Sequence, residues 1–168
     1  MTEIEINEVC SLSNIMEEFL GRTVYISELI QGVETDIVDN DALRLITYYT
    51  GDHYVIEGVT HSGIFQAFQV HNGSRYLDAQ DWVNFCELLG YTTVPFVTIN
   101  QSPLFNIHAV LSPEHWGSLC KELQPQLAEY HKDPTYIHKG IVIRPIVECH
   151  SFILNGRLSI KVLNPEAT

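Results

Sequence analysis

The sequence predicts an α+β protein in which antiparallel β-sheets pack with two or three helices. Three observations carry this: several short segments alternate apolar and polar side chains, tight-turn residues separate them, and at least two segments combine helical spacing with capping residues. At 168 residues, 45% hydrophobic, with no long polar tract, repeat or linker, the chain is expected to form one domain over 1–168.

Residues 11–20, SLSNIMEEFL, read as a short helix capped by Ser11 or Ser13. RTVYISEL then alternates as a strand. ALRLITYY, HYVIEGV and IFQAFQVH supply three further β segments, with TGD and HSG as turns, forming a meander that closes at Asn72–Gly73. YLDAQDWVNFCELLG begins a helix with Asp78 as N-cap and Gly90 as its stop. VPFVTI suits a buried strand. LSPEHWGSLCKELQPQLAEYH is helical, with Ser112 as cap, Pro113 in the first turn and Pro125 expected to kink or split it. GIVIRPIV and CHSFIL-N-G-RLSIKVL complete the chain as strand segments around a hairpin at Asn155–Gly156.

Composition narrows the function. Twenty-one acidic against nine basic residues give a formal charge of −12, unlike the basic stripe that displaces counterions from extended RNA or DNA. A small anionic ligand stays open, because a few convergent bases in a pocket outweigh a distant, screened acidic surface. Cys10, Cys86, Cys120 and Cys149 are scattered, which indicates reduced thiols and neither a zinc site nor a disulfide framework. The eight histidines form no close pair or metal-binding spacing, and His138 and His150 flank GIVIRPIV without a defined partner. No apolar run is long enough to span a membrane, and MTEIEINEVC does not resemble a leader, so a cytoplasmic protein is expected.

GIVIRP, followed by a segment ending SIKVLNPE, resembles motifs IV and V of ATP-dependent RNA ligases, members of the covalent nucleotidyltransferase superfamily. FQAFQVHNGSRYLDAQDWVNFCELLGYTTVPFV resembles the ligase stretch that joins a Phe-rich strand, a Tyr-Leu turn, a helix and a Val-Pro strand. Three matches in family order cover about residues 65–100 and 138–165. The resemblance implies a reduced RNA ligase-like adenylyltransferase fold and a lysine, in a Lys-x-Asp-Gly motif, that attacks ATP.

VYISELIQGVE is the matching motif I segment. In that register Glu28 and Gly32 keep the family residues, while Leu29 replaces the lysine and Gln31 the aspartate. Lys139 replaces the motif IV carboxylate that helps hold a metal, Leu163 replaces a second motif V lysine, and Lys161 keeps the first. Glu57 is a candidate for the motif III acid, although its order with Gly58 is reversed. These departures lead to the expectation of a degenerate domain with no catalytic residue, metal or cofactor, and hence no enzyme.

What the resemblance leaves is binding. Phe65 or Phe68 would stack on one face of adenine, Val142 or Ile141 on the other, and Glu28 would meet its edge. Lys139, Lys161 and Arg144 would neutralise phosphates. The same side chains equally suit a plain sheet core and solvated amines. The leading expectation is thus a nucleotide, cyclic or modified nucleotide bound without turnover, for example by a viral sponge that sequesters a host defence signal. One alternative is a protein-protein inhibitor or accessory subunit that meets a partner through its acidic surface, with self-association also open. The other is an active RNA ligase whose nucleophile has moved to Lys121, Lys132 or Lys139.

Overall fold

The computed structural model describes residues 4–5, 15–98, 105–106 and 116–167. The first half contains β1 (Ile4–Glu5), α1 (Ile15–Phe19), β2 (Thr23–Glu28), β3 (Val33–Ile37), α2 (Asp41–Thr50), β4 (Val55–His61) and β5 (Ile64–His71). The second contains α3 (Ala79–Leu89), β6 (Phe105–Asn106), α4 (Trp116–Tyr130), β7 (Gly140–Pro145), β8 (His150–Ser151), β9 (Gly156–Arg157) and β10 (Ile160–Leu163). The α+β class with antiparallel sheets is as expected. The chain divides into two compact units, one of Met1–Leu29 with Pro95–Thr168 and one of Ile30–Val94.

The first unit is built on a five-stranded sheet of order β1-β10-β7-β2-β6, antiparallel except for the β1–β10 pair. Alternation puts Val24 and Ile26 of β2, Ile141 and Ile143 of β7, and Ile160 and Val162 of β10 on one face. That face packs on Ile15 and Phe19 of α1 and on Leu119, Cys120, Leu123 and Leu127 of α4, whose spacing is one helical stripe. β7 is buried at every position, so GIVIRP is a central strand covered on both faces. A hairpin is present here as the β8–β9 pair, but its turn is Phe152–Asn155, with Asn155 at φ 52 and Gly156 already in β9, so Asn155–Gly156 is not itself the two-residue turn expected. Glu18 of α1 holds its loop by accepting from Ser151 Oγ at 2.7 Å and from the Phe152 N–H at 3.0 Å.

α4 runs unbroken through Pro125, against the expected kink or split. Pro125 and Lys121, whose carbonyl loses its partner, are both exposed, so water satisfies the group the proline leaves open. The expected caps Ser11, Ser13 and Ser112, and Pro113, lie outside the described residues.

The second unit is an antiparallel meander, β3-β4-β5. The HSG turn between β4 and β5 has Ser62 at φ 53 and Gly63 at φ 76, the doubly positive backbone of a tight hairpin. Across from the Glu57/Gly58 step the register shifts, and Phe68 is the extra residue of a bulge. α3 starts after Asp78 and stops at Gly90, φ 81, burying Trp82 and Cys86.

Three elements depart from the sequence reading, and one of them is β3, a strand that reading does not contain. ALRLITYY, expected as a β segment, is helical in α2: the Asn40 side chain accepts from the Leu43 N–H at 2.8 Å and Gly51 closes the last turn at φ 77. The caps decide here over the β-branched and aromatic composition. Among its described residues VPFVTI forms no full ladder; Phe96 makes a single antiparallel bridge to Ser27 of β2, flanked by backbone bonds from the Glu28 N–H to the Pro95 carbonyl and from the Val97 N–H to the Ile26 carbonyl, each 2.9 Å. No helix among the described residues is long and apolar enough to cross a membrane.

Candidate functional site

In the first unit three strands bring distant segments of sequence together at one end of the sheet. Register aligns Ser27, Val142 and Lys161 across β2, β7 and β10, and Glu28, Ile141 and Val162 one step further on. Beyond the last pairs the Leu29 N–H donates to the Gly140 carbonyl at 2.9 Å, and the Asn164 N–H donates to the Lys139 carbonyl at 3.0 Å. Leu29, Lys139 and Leu163, the positions that replace motif I, IV and V residues in the resemblance, are therefore neighbours at one strand end. Gly140 makes the approach feasible, because a Cβ there would lie 2.3 Å from the Val162 carbonyl oxygen.

The candidate residues of this unit do not share one face. Val142 and Lys161 project with Ser27, and two residues along β7 Arg144 lies on the same side. Lys161 is half-buried and Lys139 exposed. Arg144 is only 1% exposed and donates from Nε to Ser159 Oγ at 2.9 Å, so its guanidinium belongs to the interior.

Glu28 points to the opposite face, on the side of Ile26 and Ile141. Its carboxylate is fully buried and both oxygens are taken. His131 Nε2 lies 2.7 Å from Oε2, and the Tyr136 hydroxyl donates to Oε1. The two rings stack with centroids 4.0 Å apart. Burial, followed by the bond to Glu28, pushes the Tyr136 phenol above its ordinary range, since a phenolate beside a carboxylate in a dry site is doubly disfavoured. Sequence reasoning missed this triad; its members are 103 and 108 residues apart.

In the second unit Glu57 is also engaged. Gln69 Nε2 donates to its Oε2 at 2.7 Å, and His71 Nε2 lies 2.8 Å from Oε1. Tyr76 OH stands 3.5 Å from the same oxygen. Phe65 lies over Gly58, where a Cβ would come within 2.5 Å of its ring, and meets Tyr91 edge-on at 5.7 Å. Phe68, the bulged residue, is half-buried. Thus Glu28, Lys139, Val142, Arg144 and Lys161 lie in one unit, and Glu57, Phe65 and Phe68 in the other.

Chemically, the shared strand end offers amines and backbone groups. Among the described residues no group of three or more His, Cys, Asp or Glu side chains is placed to hold a metal ion. The nearby carboxylate, Glu28, faces the other side with its oxygens occupied. The residues present therefore do not fit a protein-bound divalent ion at the motif IV position. Cys86 and Cys120 are free, with thiols raised by burial to about 12 and about 11, and are inert at neutral pH.

The architecture has counterparts among solved structures. It matches the Naegleria gruberi RNA ligase, in a mutant solved with ATP and Mn, at a TM-score of 0.64 and 11% identity over 98% of this chain and 55% of that one. The fold is that of ATP-dependent RNA ligases. A mutant of the same Naegleria ligase with AMP and Mn gives 0.62 at 11% identity, again over 98% and 55%. An archaeal ATP-dependent RNA ligase gives 0.57 at 12% identity over 91% and 45%. The chain thus spans about half the length of the ligase structures it matches. No protein-family model matches it, and no curated protein matches it significantly.

The RNA ligase-like fold overturns the expectation that the chain is no enzyme. The structures that share the fold are of enzymes, and nothing in the described residues shows that activity is lost.

Proposed function

We propose that the chain binds an adenine nucleotide at the shared end of β2, β7 and β10 and transfers its nucleotidyl group, with Lys139 as the attacking amine. The observation that carries this reading is the 2.9 Å bond from the Leu29 N–H to the Gly140 carbonyl, which sets Lys139 beside the motif I strand end. In the reaction the Lys139 nitrogen, as free amine, attacks the α-phosphorus. A P–N bond forms, the bond to the bridging oxygen of pyrophosphate breaks, pyrophosphate leaves with its electron pair, and the nitrogen gives up one proton to solvent. Lys161, two residues before Leu163 on the adjacent strand, supplies a fixed positive charge for the phosphates. Val142, its cross-strand partner, is only 6% exposed and enters this reading only as the base contact implied by the resemblance.

The test is incubation with ATP radiolabelled at the α-phosphate and magnesium or manganese, followed by denaturing electrophoresis. An acid-labile adduct that disappears in Lys139→Ala and persists in Lys121→Ala and Lys132→Ala supports the assignment. No adduct, or one that survives Lys139→Ala, overturns it. ATP that raises the melting temperature but is recovered unaltered points instead to retention of a nucleotide-derived signal, the sequestering role of a viral, cytoplasmic sponge.

A further inference from the structure

The β3-β4-β5 sheet has one open edge. β5 is covered on its outer side, where Ala67 bonds backbone to backbone with Thr92 at 2.8 Å and with Val94 at 2.9 Å. β3 pairs with β4 alone, and among the described residues no backbone group bonds its outer side. Five residues long, VETDI presents an edge of about 17 Å, the length of an ordinary strand.

Such edges are usually blunted by proline, a bulge or charged side chains, which repel copies of the same edge. β3 has no proline and the bulge of this sheet is at Phe68 on the far strand, so its protection rests on acidic charge alone. Its charged residues are Glu34 and Asp36, both exposed, while Val33 is 72% exposed beside them. This pattern decides the occupant. A second copy paired antiparallel about Thr35 would set Glu34 against Asp36 twice, opposing like charges directly. A strand with basic residues at alternate positions would oppose each acid with a cation and offer apolar or β-branched side chains to Val33, Thr35 and Ile37. The whole unit favours such a partner, since Ile30–Val94 carries nine acidic and only two basic side chains, a formal charge of −7.

We propose that β3 is a docking edge to which a partner protein adds an extended segment bearing alternate lysine or arginine residues. Main-chain bonds to the edge give affinity, and Glu34 and Asp36 select the partner.

The test uses the full chain and a fluorescein-labelled seven-residue peptide alternating lysine with valine and threonine, read by anisotropy. Two further peptides carry N-methyl groups on the odd or on the even amides. A strand seated on an edge uses only one of these sets, so one methylated peptide must lose binding while the other keeps it. The double variant Glu34→Lys, Asp36→Lys is expected to bind the parent peptide roughly tenfold more weakly and to prefer its glutamate counterpart. Absence of saturable binding, equal binding of both methylated peptides, or unchanged affinity in a folded double variant overturns the proposal. If circular dichroism shows that variant unfolded, the methylated pair decides alone.

Discussion

Glu28→Ala tests whether the first unit is held by a buried carboxylate or merely contains a ligand contact. The side chain is fully buried and accepts from Tyr136 and His131, two bonds to a charged acceptor. Such bonds contribute about 1.5–3 kcal/mol each, and because Tyr136 and His131 are only half-buried and turn to water once the carboxylate is gone, a loss of about 3 kcal/mol is expected. For a chain of this length that corresponds to a fall in melting temperature of roughly 6–12 °C. Tyr136→Phe removes one bond and should cost about 1–2 kcal/mol. The double variant should cost less than the sum, with a coupling of about 1 kcal/mol or more, because both changes delete the same contact. Urea unfolding of the four species by circular dichroism gives the cycle. A loss below about 1 kcal/mol in Glu28→Ala, with weakened ATP binding, would show that the carboxylate serves a nucleotide edge and that the triad is not what holds β2 to the end of α4.

Other outcomes follow from the same contacts. Cys86 keeps its proton up to about 12 in the folded state against 9.0 ordinarily, so the unfolded chain ionises first. Stability is therefore complete below pH 9 and declines as pH rises toward 12; Cys86→Ala should flatten that decline in urea midpoints. The Tyr136 phenol, also raised, adds a further loss above pH 10 that Tyr136→Phe removes. Gly58→Ala places a methyl 2.5 Å from the Phe65 ring and 2.4 Å from the Gln66 carbonyl oxygen, and thermal unfolding should show a loss of about 1–3 kcal/mol. Asn40→Ala removes the α2 cap and should lower the unfolding free energy by about 1 kcal/mol; an unchanged melting curve would deny that the cap fixes this helix.

The sequence by itself determined what is local. Asp78 and Gly90 bound α3, the Ser62–Gly63 turn set its hairpin, and the branched and aromatic runs of TVYISE, IFQAFQVH and GIVIRP made strands. Each signal acts within a few residues, through capping bonds, positive φ or the strand preference of branched and aromatic side chains. The order of three motif-like segments also pointed to an RNA ligase-like fold, although they are distributed over two sheets. α2 was missed where two local signals competed and Asn40 and Gly51 outweighed β-branched residues.

Only the tertiary structure decided which side chains meet. Glu28 reads as an adenine contact in sequence, yet strand register turns it toward His131 and Tyr136, more than a hundred residues away. Arg144 reads as a phosphate ligand, yet its strand is covered on both faces. Lys139 gains its place beside Leu29 through one backbone bond between strands that no spacing encodes. Strand pairing is chosen by the burial of whole faces, a property of the assembled sheet, and a one-residue change of register would reverse every one of these assignments.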